Sequence, residues 1–168
     1  MIIFPNSESE SLALIEYLET IDGKDISSDE RKILLKVFDS TEHFGLRDFI
    51  GVTLIEIPEE TLFPLLIKKI RENIHTKYVS TLIFCCSYYD CSKFIQLFVD
   101  VIIVKSDMCL ADAMGVIRNM KKIDNYENEY ATNKLLAYLE EEKLYISESK
   151  QEDVTDVINF LKKRYKEE

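Results

Sequence analysis

Set against itself at an offset of 64 residues, the sequence matches at four of seven positions: Leu46-Arg47-Asp48-Phe49-Ile50-Gly51-Val52 against Leu110-Ala111-Asp112-Ala113-Met114-Gly115-Val116. Halfway between, at an offset of 32, Tyr78-Val79-Ser80-Thr81-Leu82-Ile83-Phe84 keeps the apolar beat without the identities. A fixed period of about 30 residues on helical spacing restricts the fold severely. A helix pair of that length cannot bury its own apolar face, so it must stack on a neighbouring pair.

The rest of the chain agrees with helices. Three capping boxes are legible, Ser7-x-x-Glu10, Ser27-x-x-Glu30 and Ser149-x-x-Glu152; in each, Ser and Glu together satisfy backbone N–H groups at a helix start. Helical spacing follows each of them, in Leu12, Leu14, Ile15, Leu18 and Ile21, in Ile33 to Phe38, and in Val154, Val157, Ile158 and Leu161. Further helices are expected at 44–57, 59–73, 76–89, 91–104, 107–121 and 128–145, with Pro58 at a break. The β-branched run Val101–Val104 continues the spacing of Phe94, Leu97 and Phe98, which predicts helix there rather than strand. Gly51 and Gly115 recur at one repeat position inside helices, which predicts close approach of a neighbouring helix.

The first helices of three successive pairs align at steps of 32, through Ile33-Leu34-Leu35, Leu65-Leu66-Ile67 and Leu97-Phe98-Val99. In the middle pair, Leu62-Phe63-Pro64-Leu65-Leu66-Ile67-Lys68-Lys69-Ile70 followed by a short turn and Val79-x-x-Leu82 resembles a HEAT or armadillo-type repeat. The resemblance covers residues 28–121 as three repeats (28–57, 59–89 and 91–121), with 127–166 as a degenerate C-terminal pair and 8–21 as an N-terminal cap. The Asp and Arg often found near the start of the second helix are matched by Arg47-Asp48 and Asp112, whereas the middle repeat has Ser80. The resemblance implies an all-α fold, a right-handed α-α superhelix of about eight or nine helices in a single domain, 1–168. It also implies protein or peptide binding along the second helices, with no common enzymatic activity.

Composition narrows the function classes. The chain has 31 acidic and 21 basic side chains, a net charge of −10, which argues against a duplex nucleic-acid binder needing a basic face to displace counterions. The acidity lies at the ends: residues 1–57 sum to −7, 58–121 to +1 and 122–168 to −4. Such acidity serves solubility, and also suits an approach to a basic partner. No secretory signal is expected, since Met1-Ile2-Ile3-Phe4 runs directly into Pro5. Its most apolar stretch, Phe94–Val104, is short and interrupted by Gln96 and Asp100, so no membrane span is expected. A cytoplasmic protein with reduced thiols is the expectation.

Few residues suggest chemistry. Cys85, Cys86 and Cys91 lack the paired spacing of a zinc site and are expected to be buried small apolar groups. Cys109 stands near a helix start, where a dipole can lower a thiol pKa. His43 and His75 are 32 residues apart, with Asp107 in the third place; they are expected to be polar turn residues about one helix spacing apart. Gly23, Gly45, Gly51 and Gly115 are scattered and form no phosphate loop. No catalytic residue, cofactor or metal is therefore expected.

Aromatics and surface acids are the better lead. Tyrosine gives broad contact area at low entropic cost. Tyr88 and Tyr89 close a helix, while Tyr126 and Tyr130 lie in the polar stretch Asp124–Tyr130, read as a loop where the 32-residue step breaks. Asp48, Glu56, Asp90 and Asp112 are the acids expected to join them on a partner-binding face. The expected function is a non-catalytic protein–protein interaction module, in a specific form an immunity protein neutralising a basic toxin. The alternatives are a structural subunit of a larger assembly, or an enzyme with a pocket near His43, His75 and Asp107.

Overall fold

A computed structural model describes residues 2–56, 60–105 and 108–165. Pro58 and Asp107 lie outside the described residues. The chain is all-α: the described residues form nine α-helices and two short 3₁₀ turns, with no strand among them. The helices are α1 (Glu8–Glu19), α2 (Ser28–Ser40), α3 (Phe44–Ile55), α4 (Leu62–Asn73), α5 (Ser80–Cys86), α6 (Ile95–Val104), α7 (Met108–Asn119), α8 (Asn125–Glu142) and α9 (Glu148–Tyr165). The 3₁₀ turns are Gly23–Asp25 and Ser92–Phe94. The described residues group into two compact units, 1–89 and 90–168.

Within the first unit, α2 packs on α3 and α4 on α5, while α2 also meets α4 and α3 meets α5. This is the contact pattern of two stacked helix pairs, with α1 laid against α3. Connectors as short as residues 41–43 oblige the helices they join to run antiparallel. The core they enclose includes Leu34, Val37, Phe38, Leu46, Ile50, Leu54, Leu66, Ile70, Leu82 and Ile83, each with no exposed surface. Burying one such side chain contributes about 1.5–3 kcal/mol.

In the second unit α6 packs on both α7 and α8, and α8 on α9. The β-branched run is helical, as its spacing predicts. Ile95, Leu97, Phe98, Val99, Val101 and Ile102 are all buried, so α6 is apolar nearly all round. Val154, Val157, Ile158 and Leu161 supply the matching stripe from α9.

Polar contacts echo the sequence period. Lys68 on α4 reaches Asp39 on α2 at 2.6 Å, and Lys134 on α8 reaches Asp100 on α6 at 2.5 Å. The partners are 29 and 34 residues apart, one helix pair along the chain.

The helix starts follow their caps, with two corrections. Ser27 and Glu30 make the complete capping box. At Ser7 the hydroxyl accepts from the Glu10 N–H, but the Glu10 carboxylate accepts from the Asn6 N–H instead of that of Ser7. At α9 the hydroxyl used is that of Ser147, which accepts from the Lys150 N–H at 3.2 Å, and Ser149 lies inside the helix. Equally, Asp124–Tyr130 is not a loop. The Asp124 carboxylate accepts from the N–H groups of Tyr126 and Glu127, so α8 begins at Asn125, three residues before the expected start. The helix expected over 76–89 is shorter, Ser80–Cys86, because Thr76 turns the chain by accepting from Tyr78 N–H and donating to the Asn73 carbonyl.

The recurring glycines differ in role. A Cβ at Gly51 would stand 3.4 Å from Cys85 Sγ and Phe38 Cε2, in keeping with the expected close packing of α3. A Cβ at Gly115 would meet nothing within 4 Å among the described residues. Gly115→Ala is therefore expected to stabilise the protein by about 1 kcal/mol through helix propensity. Urea unfolding measures it; a loss of stability would show that α7 needs the absence of a side chain at this position.

Candidate functional site

The expected partner-binding residues divide into those the fold consumes and those it leaves outward. Arg47 is 2% exposed, and its guanidinium donates to the carboxylate of Asp48, itself 26% exposed, and to the Tyr78 carbonyl. Asp48 thus neutralises a buried cation, while Arg47 ties the start of α3 to the segment before α5. Glu56 accepts from the Gly23 N–H at 2.6 Å, while Arg31 donates to the Gly23 carbonyl at 2.9 Å. Gly23 is required by this clamp, since a Cβ there would lie 2.3 Å from the Thr53 carbonyl oxygen.

Asp90 accepts from the Ser92 N–H at 3.1 Å, the Ser92 hydroxyl and the Lys121 N–H. The Ser92 hydroxyl bond, followed by the backbone bonds and the Lys121 charge, holds its carboxyl below the usual value against the opposing effect of burial. Asp112 is half-buried on α7. Tyr89 stacks on Phe63 with ring centroids 5.1 Å apart, and exposed Tyr88 meets Phe84 edge-on.

Tyr126 and Tyr130 are brought together. One helical turn apart on α8, they line a cleft of about 290 Å³ with Glu127, Lys134 and, from α6, Gln96. Tyr126 is 72% exposed and Tyr130 51%. The Asp124 cap sets this display, because starting α8 at Asn125 places Tyr126, Tyr130 and Lys134 at helical spacing along one stripe.

Gln96 braces the cleft. Its amide nitrogen donates to the Glu127 carbonyl at 3.2 Å and to Glu127 Oε2 at 2.8 Å. Its amide oxygen is buried without a hydrogen-bond partner, which costs about 1–3 kcal/mol. Lys134 is held by Asp100, so Glu127, Asp100 and Lys134 together carry a formal −1. The cleft therefore brings the Glu127 carboxylate together with two exposed tyrosine rings. Gln96 was visible in the sequence as a polar break in an apolar run. Glu127 and Lys134 carried no signal, because their relation to α6 is made only by packing.

A second outward feature is the turn between α8 and α9, where Leu144 is 90% exposed and Tyr145 82%. Gln151 pins this turn by donating to the Lys143 and Ile146 carbonyls.

Cys85, Cys86 and Cys91 are buried, Cys109 is half-buried, and none of the four forms a disulfide among the described residues. Burial first, and the Asp48 carboxylate second, push the Cys85 thiol up to about 12, so it stays protonated at neutral pH. His43 caps α3, its Nδ1 accepting from the Leu46 N–H at 3.0 Å, and His75 is exposed in the turn after α4. No group of three His, Cys, Asp or Glu side chains among the described residues is placed to hold a metal ion. No helix among them is long and apolar enough to cross a membrane. Compared with protein-family models, with curated proteins and with solved structures, the chain matches none.

Proposed function

We propose that this chain is a protein-binding module built of HEAT-like helix pairs, which engages a basic partner through an acidic, tyrosine-bearing helical surface. Its specific form is an immunity or inhibitor protein, acting in the cytoplasm, that blocks a basic toxin by electrostatic steering and site occlusion. The observation that carries this reading is the exposure of Tyr126 and Tyr130 over the cleft between α6 and α8. Rings so exposed contribute little to the fold and supply the contact area found at binding hot spots.

Affinity capture at low and high salt tests the reading. A basic protein is expected to be retained stoichiometrically and shed by salt, since exposed charges lose their reach as the Debye length shrinks. With that protein purified, Tyr126→Ala with Tyr130→Ala is expected to raise Kd by at least about tenfold, equivalent to about 1.4 kcal/mol. An unchanged Kd, or binding indifferent to salt, removes this surface from the interface.

The exposure of Leu144 and Tyr145 favours a second reading, a structural subunit that assembles through the α8–α9 turn. Sedimentation over a range of concentrations separates the two: self-association abolished by Leu144→Ser with Tyr145→Ser supports assembly.

A further inference from the structure

We propose that the cleft between α6 and α8 is a receptor for a single arginine side chain of the partner protein. This rests on the reading of the chain as a binder of a basic protein, and names the group that the cleft recognises. Two features select a guanidinium. The Tyr126 and Tyr130 rings lie outward on the same stripe of α8, and a planar cation stacks on tyrosine faces. Glu127 lines the cleft with a carboxylate of which Gln96 engages only Oε2.

A guanidinium carries five N–H donors in one plane, enough to serve the Glu127 carboxylate while its face rests on an aromatic ring. A lysine ammonium is a compact, strongly hydrated charge without that planar face. An anionic ligand would meet the formal −1 of Glu127, Asp100 and Lys134. The cation already in the cleft, Lys134, is committed to Asp100 at 2.5 Å, so the Glu127 charge is left for an incoming group. The volume of about 290 Å³ suits one long side chain, with its backbone outside.

The probe is the tripeptide acetyl-Gly-Arg-Gly-amide, titrated into the full chain and followed by amide NMR. Saturable shifts are expected at the Gln96 side-chain NH₂ and along the first turns of α8. The same peptide with citrulline, which keeps shape and loses charge, is expected to bind at least about fivefold more weakly. Glu127→Gln, a near-isosteric change, and Tyr126→Ala, at an exposed position, are each expected to weaken the arginine peptide by a similar factor with the far-UV circular dichroism unchanged.

Equal binding of the citrulline peptide, shifts confined to other surfaces, or no shift at Gln96 up to the solubility limit of the peptide would each overturn the proposal. The two readings fail separately. A captured basic partner whose Kd ignores Glu127→Gln and Tyr126→Ala refutes the arginine receptor and leaves the binding module intact. Arginine-specific shifts at Gln96 without any captured partner support the receptor and count against the module.

Discussion

Phe98→Ala is expected to lower stability by about 3–5 kcal/mol, the largest effect of any single change considered for this chain. Phe98 has no exposed surface, and the helix that carries it packs on both α7 and α8. Removing the ring forfeits its transfer free energy and leaves a cavity that helices held on two sides cannot close. Phe98→Leu keeps most of the volume and is expected to cost only about 1–2 kcal/mol. Urea unfolding followed by circular dichroism gives both values. A loss below about 1 kcal/mol for the alanine variant would mean that the centre of this unit is loosely packed.

Asp48→Ala is expected to cost about 2–3 kcal/mol, below the range for fully buried pairs because Asp48 is partly reached by water. The loss comes from the Arg47 guanidinium, which stays buried and keeps the Tyr78 carbonyl and the Phe44 ring, 5.1 Å from the guanidinium carbon, as company among the described residues. Replacing both partners with leucine removes the buried charge as well, so the double variant is expected to recover much of the loss. A double variant no better than Asp48→Ala would show that the bond to Tyr78 matters more than the charge. If instead Asp48→Ala leaves stability untouched and weakens partner binding, Asp48 is a contact residue and its pairing with Arg47 is incidental.

These two residues also mark what could be read from the chain and what could not. Phe98 announces itself as core, since it belongs to an apolar run at helical spacing that recurs every 32 residues. Asp48 recurs just as regularly, through its match at Asp112, and that recurrence points equally to a surface stripe and to an internal ion pair. Only the burial of Arg47 distinguishes them. Glu56 behaves likewise: an acid at a helix end reads as solvent-facing until the Gly23 turn, 33 residues earlier, is folded against it. At Asp124–Tyr130 the composition is that of a loop, yet Asp124 is a strong helix cap and the apolar positions behind it pack on α6 and α9. Tertiary burial decided a segment whose local propensities were balanced.

By itself the sequence determined the all-α class, the capping of α2 and the helical state of Val101–Val104. All of these follow from short-range physics: side-chain periodicity, caps and the shortage of helix breakers act within a few residues of where they are written. The tertiary structure alone decided which acids are consumed by the fold, that Gly51 packs closely and Gly115 does not, and that Tyr126, Tyr130 and Glu127 share a cleft with Gln96. Several of those outcomes depend on partners about 30 residues away in sequence, as with Glu56 and Gly23, Arg47 and Tyr78, or Glu127 and Gln96. A hydrogen bond or an aromatic contact at that range exists only once the helices between have closed the loop and excluded water.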